Sequence, residues 1–263
     1  MADARDPGAG NPGAEDPGVE DPGAGNPRTG NPRTGDPGVG TALEWACHGT
    51  VFFTAALDTA DLDGPTPLPG WTGRHLAAHV AFNARALTRL VHWARTGEET
   101  PMYPGGPEAR DTEIVEGAAL EPAELRGLVA RTAAELEAAL TGLSDLQWRT
   151  RVVTAQGRTV PATEIPWMRS REVWVHAVDL GAGASFDDFP PEFVDALLTD
   201  VMELRRRRGQ EPSLTLAPVD RDRTWSAGEP SPPLTAPAAR LAAWLTGRGA
   251  APGGAPRDPG RWL

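Results

Sequence analysis

Residues 72–96 read TGRHLAAHVAFNARALTRLVHWART, and the spacing of their apolar positions predicts one long helix over 73–96 with a single buried face. Thr72 stands where an N-cap belongs. Leu76, His79 or Val80, Asn83, Leu87 and Leu90 or Val91 make up the inner stripe. His79 and Asn83 therefore fall on an otherwise apolar face, where a polar side chain needs a partner or a task. His75 lies one turn from His79 but off the stripe. His92, near the helix end, is expected in solvent.

The sequence on either side predicts three companions for this helix. TALEWACHGTVFFTAAL (41–57) has helical spacing and carries Cys47, expected to be buried; DGPTPLPGW (63–71) is a proline-rich connection. Residues 97–111, GEETPMYPGGPEARD, read as a long loop of the kind that often carries function. A third helix is expected over 121–141. Alternation on either side of Gln156-Gly157, at 150–154 and 158–162, predicts a hairpin. A fourth helix is expected over 164–181, ending at Gly181. Four such helices joined by loops predict an antiparallel bundle.

A smaller unit follows. PPEFVDALLTDVMELRRRR reads as a proline-started helix, SLTLAP and RTWSA as short strands, and APAARLAAWLTGR as a closing helix. The expected fold class is thus α+β: a four-helix bundle over 41–182 and a small α/β domain over 183–250. Residues 251–263 are rich in Gly and Pro and read as a flexible tail. Residues 6–40 repeat every five (DPGAG NPGAE DPGVE and onward) with almost nothing apolar to offset the entropy of ordering, so 1–40 are expected to be disordered.

Charge and composition exclude several functions. The net charge of −11 argues against nucleic acid, which needs clustered cations. The basic run Arg205–Arg208 reads as a solvated helix end. No apolar run approaches a membrane span, and no secretory leader is evident. A single cysteine rules out an internal disulfide and fits a reducing cytoplasm, the expected location. A monomer is expected. All 25 basic residues are arginine, which with the Ala, Gly and Pro content fits a GC-rich genome.

The chemistry is concentrated in the stretch REVWVH, residues 171–176. Positions four apart on a helix lie about 40° apart around its axis, so Glu172 and His176 point the same way. Asp179 follows on the same side, while Val173, Trp174, Ala177 and Leu180 can pack. With His79 from the other helix, two imidazoles and a carboxylate make a three-ligand metal site with open positions, a donor set used by zinc and by non-haem iron. Asp179 or Asn83 is suited to holding a ligand imidazole from behind. Nucleophile-elbow, P-loop, dinucleotide-fingerprint and HExxH patterns do not occur.

LPGWTGRHLAAHVAFNARAL (68–87), GEETPMYPGG (97–106), QGRTVPATEIPWMRSREVWVHAVDL (156–180) and ARLAAWLTGRG (239–249) together resemble the mycothiol-dependent maleylpyruvate isomerases of actinobacteria. The likeness covers about 41–250 and omits the repeat segment. It implies a DinB-like N-terminal bundle and a C-terminal α/β domain. It also implies one zinc ion per chain held by His79, Glu172 and His176, and a catalytic arginine best matched by Arg248, with Arg240 as the fallback. Arg110 and Arg169 are further cationic candidates.

The implied reaction is cis–trans isomerisation of maleylpyruvate to fumarylpyruvate in gentisate-type aromatic degradation. A thiolate adds to the activated double bond, the new single bond rotates, and the thiolate leaves. With Cys47 expected to be buried, the thiol comes from outside, as mycothiol, activated at zinc. An arginine suits a substrate with two carboxylates. The alternative on the same scaffold is a mycothiol S-transferase acting on another electrophile; from a different class, a metal-binding interaction protein without catalysis is also compatible with the repeat segment.

Overall fold

The computed structural model describes residues 38–253 together with Ala255, Pro256, Pro259 and Trp262. The repeat over 6–40 lies almost wholly outside the described residues. Thirteen helices and strands follow in order. They are α1 (Val39–Thr59), α2 (Gly73–Thr96), α3 (Gly106–Ala118), α4 (Pro122–Thr141), α5 (Asp145–Trp148), β1 (Arg151–Val153), β2 (Thr159–Pro161), α6 (Ile165–Asp179), α7 (Pro191–Arg208), β3 (Leu214–Leu216), β4 (Trp225–Ala227), β5 (Pro233–Leu234) and α8 (Ala238–Leu245).

The bundle consists of α1, α2, α4 and α6. Helix α1 packs on α6 and α4, and α2 packs on α4 and α6, so the ring runs α1–α6–α2–α4. Consecutive helices α1 and α2 lie across a diagonal, and the proline-rich stretch 60–72 spans the gap. That stretch is folded against the bundle: Arg74 N–H donates to the Leu62 carbonyl at 2.8 Å, and Thr66 N–H donates to Trp71 at 3.0 Å. The seam between α1 and α6 is close because position 49 is glycine. A Cβ there would stand 2.6 Å from both Trp174 Nε1 and Val173 Cγ2. Across the same seam Trp174 Nε1–H donates to the Trp45 carbonyl at 2.9 Å.

Expectation and structure differ in four places. The loop expected over 97–111 stops at 105, and α3 begins at Gly106, started by Pro107 and packed on α2 through Gly117 against Phe82 and Ala78. Its sequence is too polar to show a stripe. Cys47, expected to be buried, is exposed on the outer face of α1. Arg205, expected in solvent, is 3% exposed. It donates to the carbonyls of Pro212 (2.9 Å) and Pro259. The last stretch is not uniformly loose: Trp262 is buried in the main core.

The hairpin β1–β2 turns at Gly157 (φ +76°) with Val152 opposite Val160. In the C-terminal portion β3 is central, antiparallel to β4 and parallel to β5. The short β5, within a proline-rich run, shows no alternation to read. One hydrophobic core runs from Trp45 and Trp174 in the bundle through Phe189 and Phe193 to Trp244 in α8. Among the described residues no helix is long and apolar enough to cross a membrane.

Candidate metal centre

Helices α2 and α6 are neighbours, and their facing stripes bring His79, Glu172 and His176 together. One donor atom from each lies within 4.8 Å of the others. His79 Nε2 is 2.9 Å from Glu172 Oε2, and His176 Nε2 is 3.3 Å from the same oxygen. The two imidazoles meet edge to face, with centroids 5.0 Å apart. Both rings thus turn Nε2 inward to one carboxylate and Nδ1 outward.

The outward nitrogens have different partners. His176 Nδ1 sits 2.8 Å from Asp179 Oδ2. Asp179 is fully buried, and its carboxylate also receives Arg248: Nε donates to Oδ1 at 3.0 Å and Nη2 to Oδ2 at 2.9 Å. Arg248 Nη1 donates to the Thr246 carbonyl at 2.5 Å. On the other side Arg110 Nη2 donates to His79 Nδ1 at 3.3 Å, and the Trp71 ring lies 5.3 Å from the His79 ring. Arginine has no acceptor, so this tautomer of His79 carries its proton on Nε2 and gives it to Glu172.

Burial and partners set the charges. Burial pushes Glu172 upward, but hydrogen bonds from His176 and His79 outweigh it and hold the carboxyl well below its usual range. Burial likewise opposes ionisation of Asp179, and His176 and Arg248 override it. For His176 burial disfavours the cation, yet Asp179 and Glu172 raise its pKa. For His79 burial dominates and the pKa falls despite Glu172. The site is therefore a neutral His79 beside an ionised glutamate and an imidazole backed by a carboxylate, the pattern that orients metal-binding histidines.

The triad opens into a cavity of about 690 Å³. Trp71, Tyr103, Arg110, Arg248 and Trp262 stand around it beside His79, Glu172 and His176. Met102, Val153 and the β1–β2 turn at Thr154–Gln156 also line it. Cys47 does not line it, so exposure of the chain's only thiol leaves the cavity without one.

Several sequence candidates find other work. His75 is a cap: its Nδ1 accepts from the Thr72 N–H at 3.3 Å and lies 2.9 Å from the Thr72 hydroxyl. His48 is exposed, and His92 lies 3.7 Å from exposed Glu98. Asn83 hydrogen-bonds an arginine rather than an imidazole. Its Oδ1 accepts from Arg169 Nη1 at 3.1 Å, and the same nitrogen donates to the Val80 carbonyl at 2.8 Å. Burial lowers the pKa of Arg169 to about 10. Arg240, the alternative to Arg248, does not line the cavity. Arg171, to which the sequence assigns no role, is an anchor between α6 and α7: Nη1 donates to Asp200 at 2.7 Å and the guanidinium lies over Trp167. Trp71, Tyr103 and Trp262 escape sequence reasoning because each lies in or beyond a loop, where no periodicity marks an inward face.

A family model described as the mycothiol maleylpyruvate isomerase N-terminal domain matches residues 43–181. Curated protein sequences give no match. A crystal structure of the mycothiol-dependent maleylpyruvate isomerase is similar at 39% sequence identity and TM-score 0.80, covering 85% of this chain and 97% of that one. A histidine-to-alanine mutant of that isomerase matches equally, again at 39% identity and TM-score 0.80 over 85% and 97% of the two chains. With a family model spanning over half its length and a relative of this identity along most of it, the chain belongs to the mycothiol maleylpyruvate isomerase family.

Proposed function

We propose that the chain is a zinc- and mycothiol-dependent isomerase that converts maleylpyruvate to fumarylpyruvate in gentisate-type aromatic degradation, with His79, Glu172 and His176 as the metal ligands and Arg248 as the catalytic cation. The observation that carries the reading is the convergence of three donor atoms within 4.8 Å at a cavity that no cysteine lines. Two imidazole nitrogens and a carboxylate oxygen fit zinc, and Asp179 behind His176 gives that ring the tautomer that frees Nε2.

Bound zinc would hold the mycothiol sulfur as a thiolate, whose reversible addition to the double bond frees rotation about it. The chain's own residues do the rest. Glu172 stays ionised and keeps both rings aimed at one point. Arg248 spends three of its five N–H donors on Asp179 and Thr246, and those remaining at the cavity bind a substrate carboxylate. Trp71 and Trp262 flank these groups and screen them from water. The size of the cavity falls within the range of small-molecule sites of about 300–1,000 Å³, and its extension to Met102 and the hairpin turn leaves room for a thiol beside the substrate.

The test is an ultraviolet assay of maleylpyruvate with and without mycothiol on zinc-loaded protein. Thiol-dependent conversion to the trans isomer supports the reading. Equal conversion without thiol overturns the mechanism, and accumulation of a stable mycothiol adduct replaces it with an S-transferase.

A further inference from the structure

Three arginines line the cavity, and they are held very differently. Arg171 is tied to Asp200 at 2.7 Å with both side chains 14% exposed, and it lies over Trp167. Arg248 is fixed by both oxygens of a fully buried aspartate. Arg110, on α3, is tied to no buried carboxylate, its partners being Asp111, the His79 ring and the Tyr103 side chain. Its Nη1 bonds Asp111, the adjacent residue, whose side chain is 68% exposed, a pairing that binds weakly in water. Its Nη2 reaches the neutral His79 ring at 3.3 Å, and its guanidinium lies 5.9 Å from the Tyr103 ring centre.

The position of Arg110 mirrors that of Arg248. Both ligand histidines turn Nε2 to Glu172, so their Nδ1 atoms mark opposite flanks of the triad. Arg248 reaches the His176 flank through Asp179, and Arg110 touches the His79 flank directly. The arrangement presents one guanidinium on each side of the three donor atoms, both at the cavity.

We propose that Arg110 is a substrate-positioning residue that binds the second carboxylate of a dicarboxylate ligand, opposite the one held at Arg248. The proposal rests on the functional reading above, which supplies a substrate with two carboxylates. A single fixed cation cannot orient such a molecule, because either end satisfies it. Two cations on opposite flanks set which way round it lies, and a forked donor adds geometric selection that a point charge lacks. With Nε2 of His79 given to a metal, the ring proton would sit on Nδ1 and Arg110 would lose that acceptor, leaving its N–H groups for a ligand in the cavity.

The experiment is calorimetric titration of zinc-loaded wild type, Arg110→Met and Arg110→Lys with maleate and with maleamate, its monoamide, together with metal analysis of each protein. Wild type is expected to prefer maleate. Arg110→Met is expected to weaken maleate about 10- to 100-fold, the scale of one charge-assisted hydrogen bond, down to the level of maleamate. Maleamate binding and zinc content should stay as in wild type, and Arg110→Lys should fall between. Equal weakening of both ligands, unchanged maleate binding, no preference in wild type, or loss of zinc from Arg110→Met would each overturn the proposal. Failure of the functional reading shows separately, as absence of maleylpyruvate turnover by wild type.

Discussion

Asp179→Asn isolates the group that joins α6 to the C-terminal arginine. The wild-type carboxylate is fully buried, and its two oxygens serve three donors: Arg248 Nε at 3.0 Å, Arg248 Nη2 at 2.9 Å and His176 Nδ1 at 2.8 Å. Asparagine has one acceptor oxygen. With that oxygen at the Oδ2 position the amide N–H₂ faces Arg248 Nε–H; flipped, it faces both Arg248 Nη2 and His176. In either orientation a donor meets a donor and the guanidinium keeps an uncompensated charge. Breaking a buried ion pair costs about 3–5 kcal/mol, and the partial solvation of Arg248 at the cavity reduces this to about 2–3 kcal/mol. Loss of a group that orients a metal ligand weakens metal binding by about 10- to 100-fold.

The pH dependence of that loss has a definite sign. The Asp179 pKa is lowered in the fold, so its contribution is present above the ordinary carboxylate pKa of about 3.9 and is lost as pH falls through the lower folded value. The His176 pKa is raised, so its contribution is complete below the ordinary value of about 6.5 and fades as pH rises through the folded one. In metal-free protein the stability gap between wild type and Asp179→Asn should therefore be widest between about pH 4.5 and 6.5 and shrink towards pH 3. Urea unfolding followed by tryptophan fluorescence at pH 3.5, 5.5 and 7.5, with zinc titration against a competing chelator, measures both quantities. A gap under about 0.5 kcal/mol at pH 5.5 with zinc affinity within about twofold of wild type would refute the reasoning.

Three further outcomes are expected. His176→Ala removes an imidazole donor and should leave purified protein without stoichiometric zinc and without isomerase activity; metal analysis showing full zinc occupancy would mean that the ligand set is wrong. Gly49→Ala places a methyl group 2.6 Å from Trp174 Nε1 and should destabilise the fold by about 1–3 kcal/mol in denaturant, since a tight seam must open. Arg248→Met takes two of the three donors from buried Asp179 and should weaken zinc binding as well as turnover, so at saturating zinc a variant with wild-type kcat would exclude a catalytic role for this arginine.

How much was legible in the sequence follows from periodicity. Helices α2, α4 and α6 bury continuous stripes, and their limits fall within a few residues of those the pattern predicts. The meeting of His79 with Glu172 and His176 was legible as inward-facing polar residues on two helices; that those helices are neighbours is a property of the ring order, which no local pattern encodes. Helix α3 stayed hidden because GPEARDTEIVEGA presents few apolar positions and is held largely by Gly117 against α2. The same gap hid the cavity side of Arg110. Cys47 was misassigned because a small apolar residue in a helix of mostly apolar composition gives no sign of which face it takes. His75 and His79, one turn apart, differ in use because the first lies within reach of the helix's own end.

The carboxylate of Asp179 serves three donors with two oxygens, and this constrains how the C-terminal segment of this chain can vary. The segment bearing Arg248 cannot drift independently of α6, since moving it takes two of three donors from the buried carboxylate that backs His176. Exchanging C-terminal segments between family members should accordingly be all-or-none. A donor segment whose arginine arrives at Asp179 brings a working site with altered neighbours around the substrate, whereas one that misses it damages metal retention as well as turnover. Chimaeras sorted by zinc content alone, without any turnover assay, would thus report which segments dock in register.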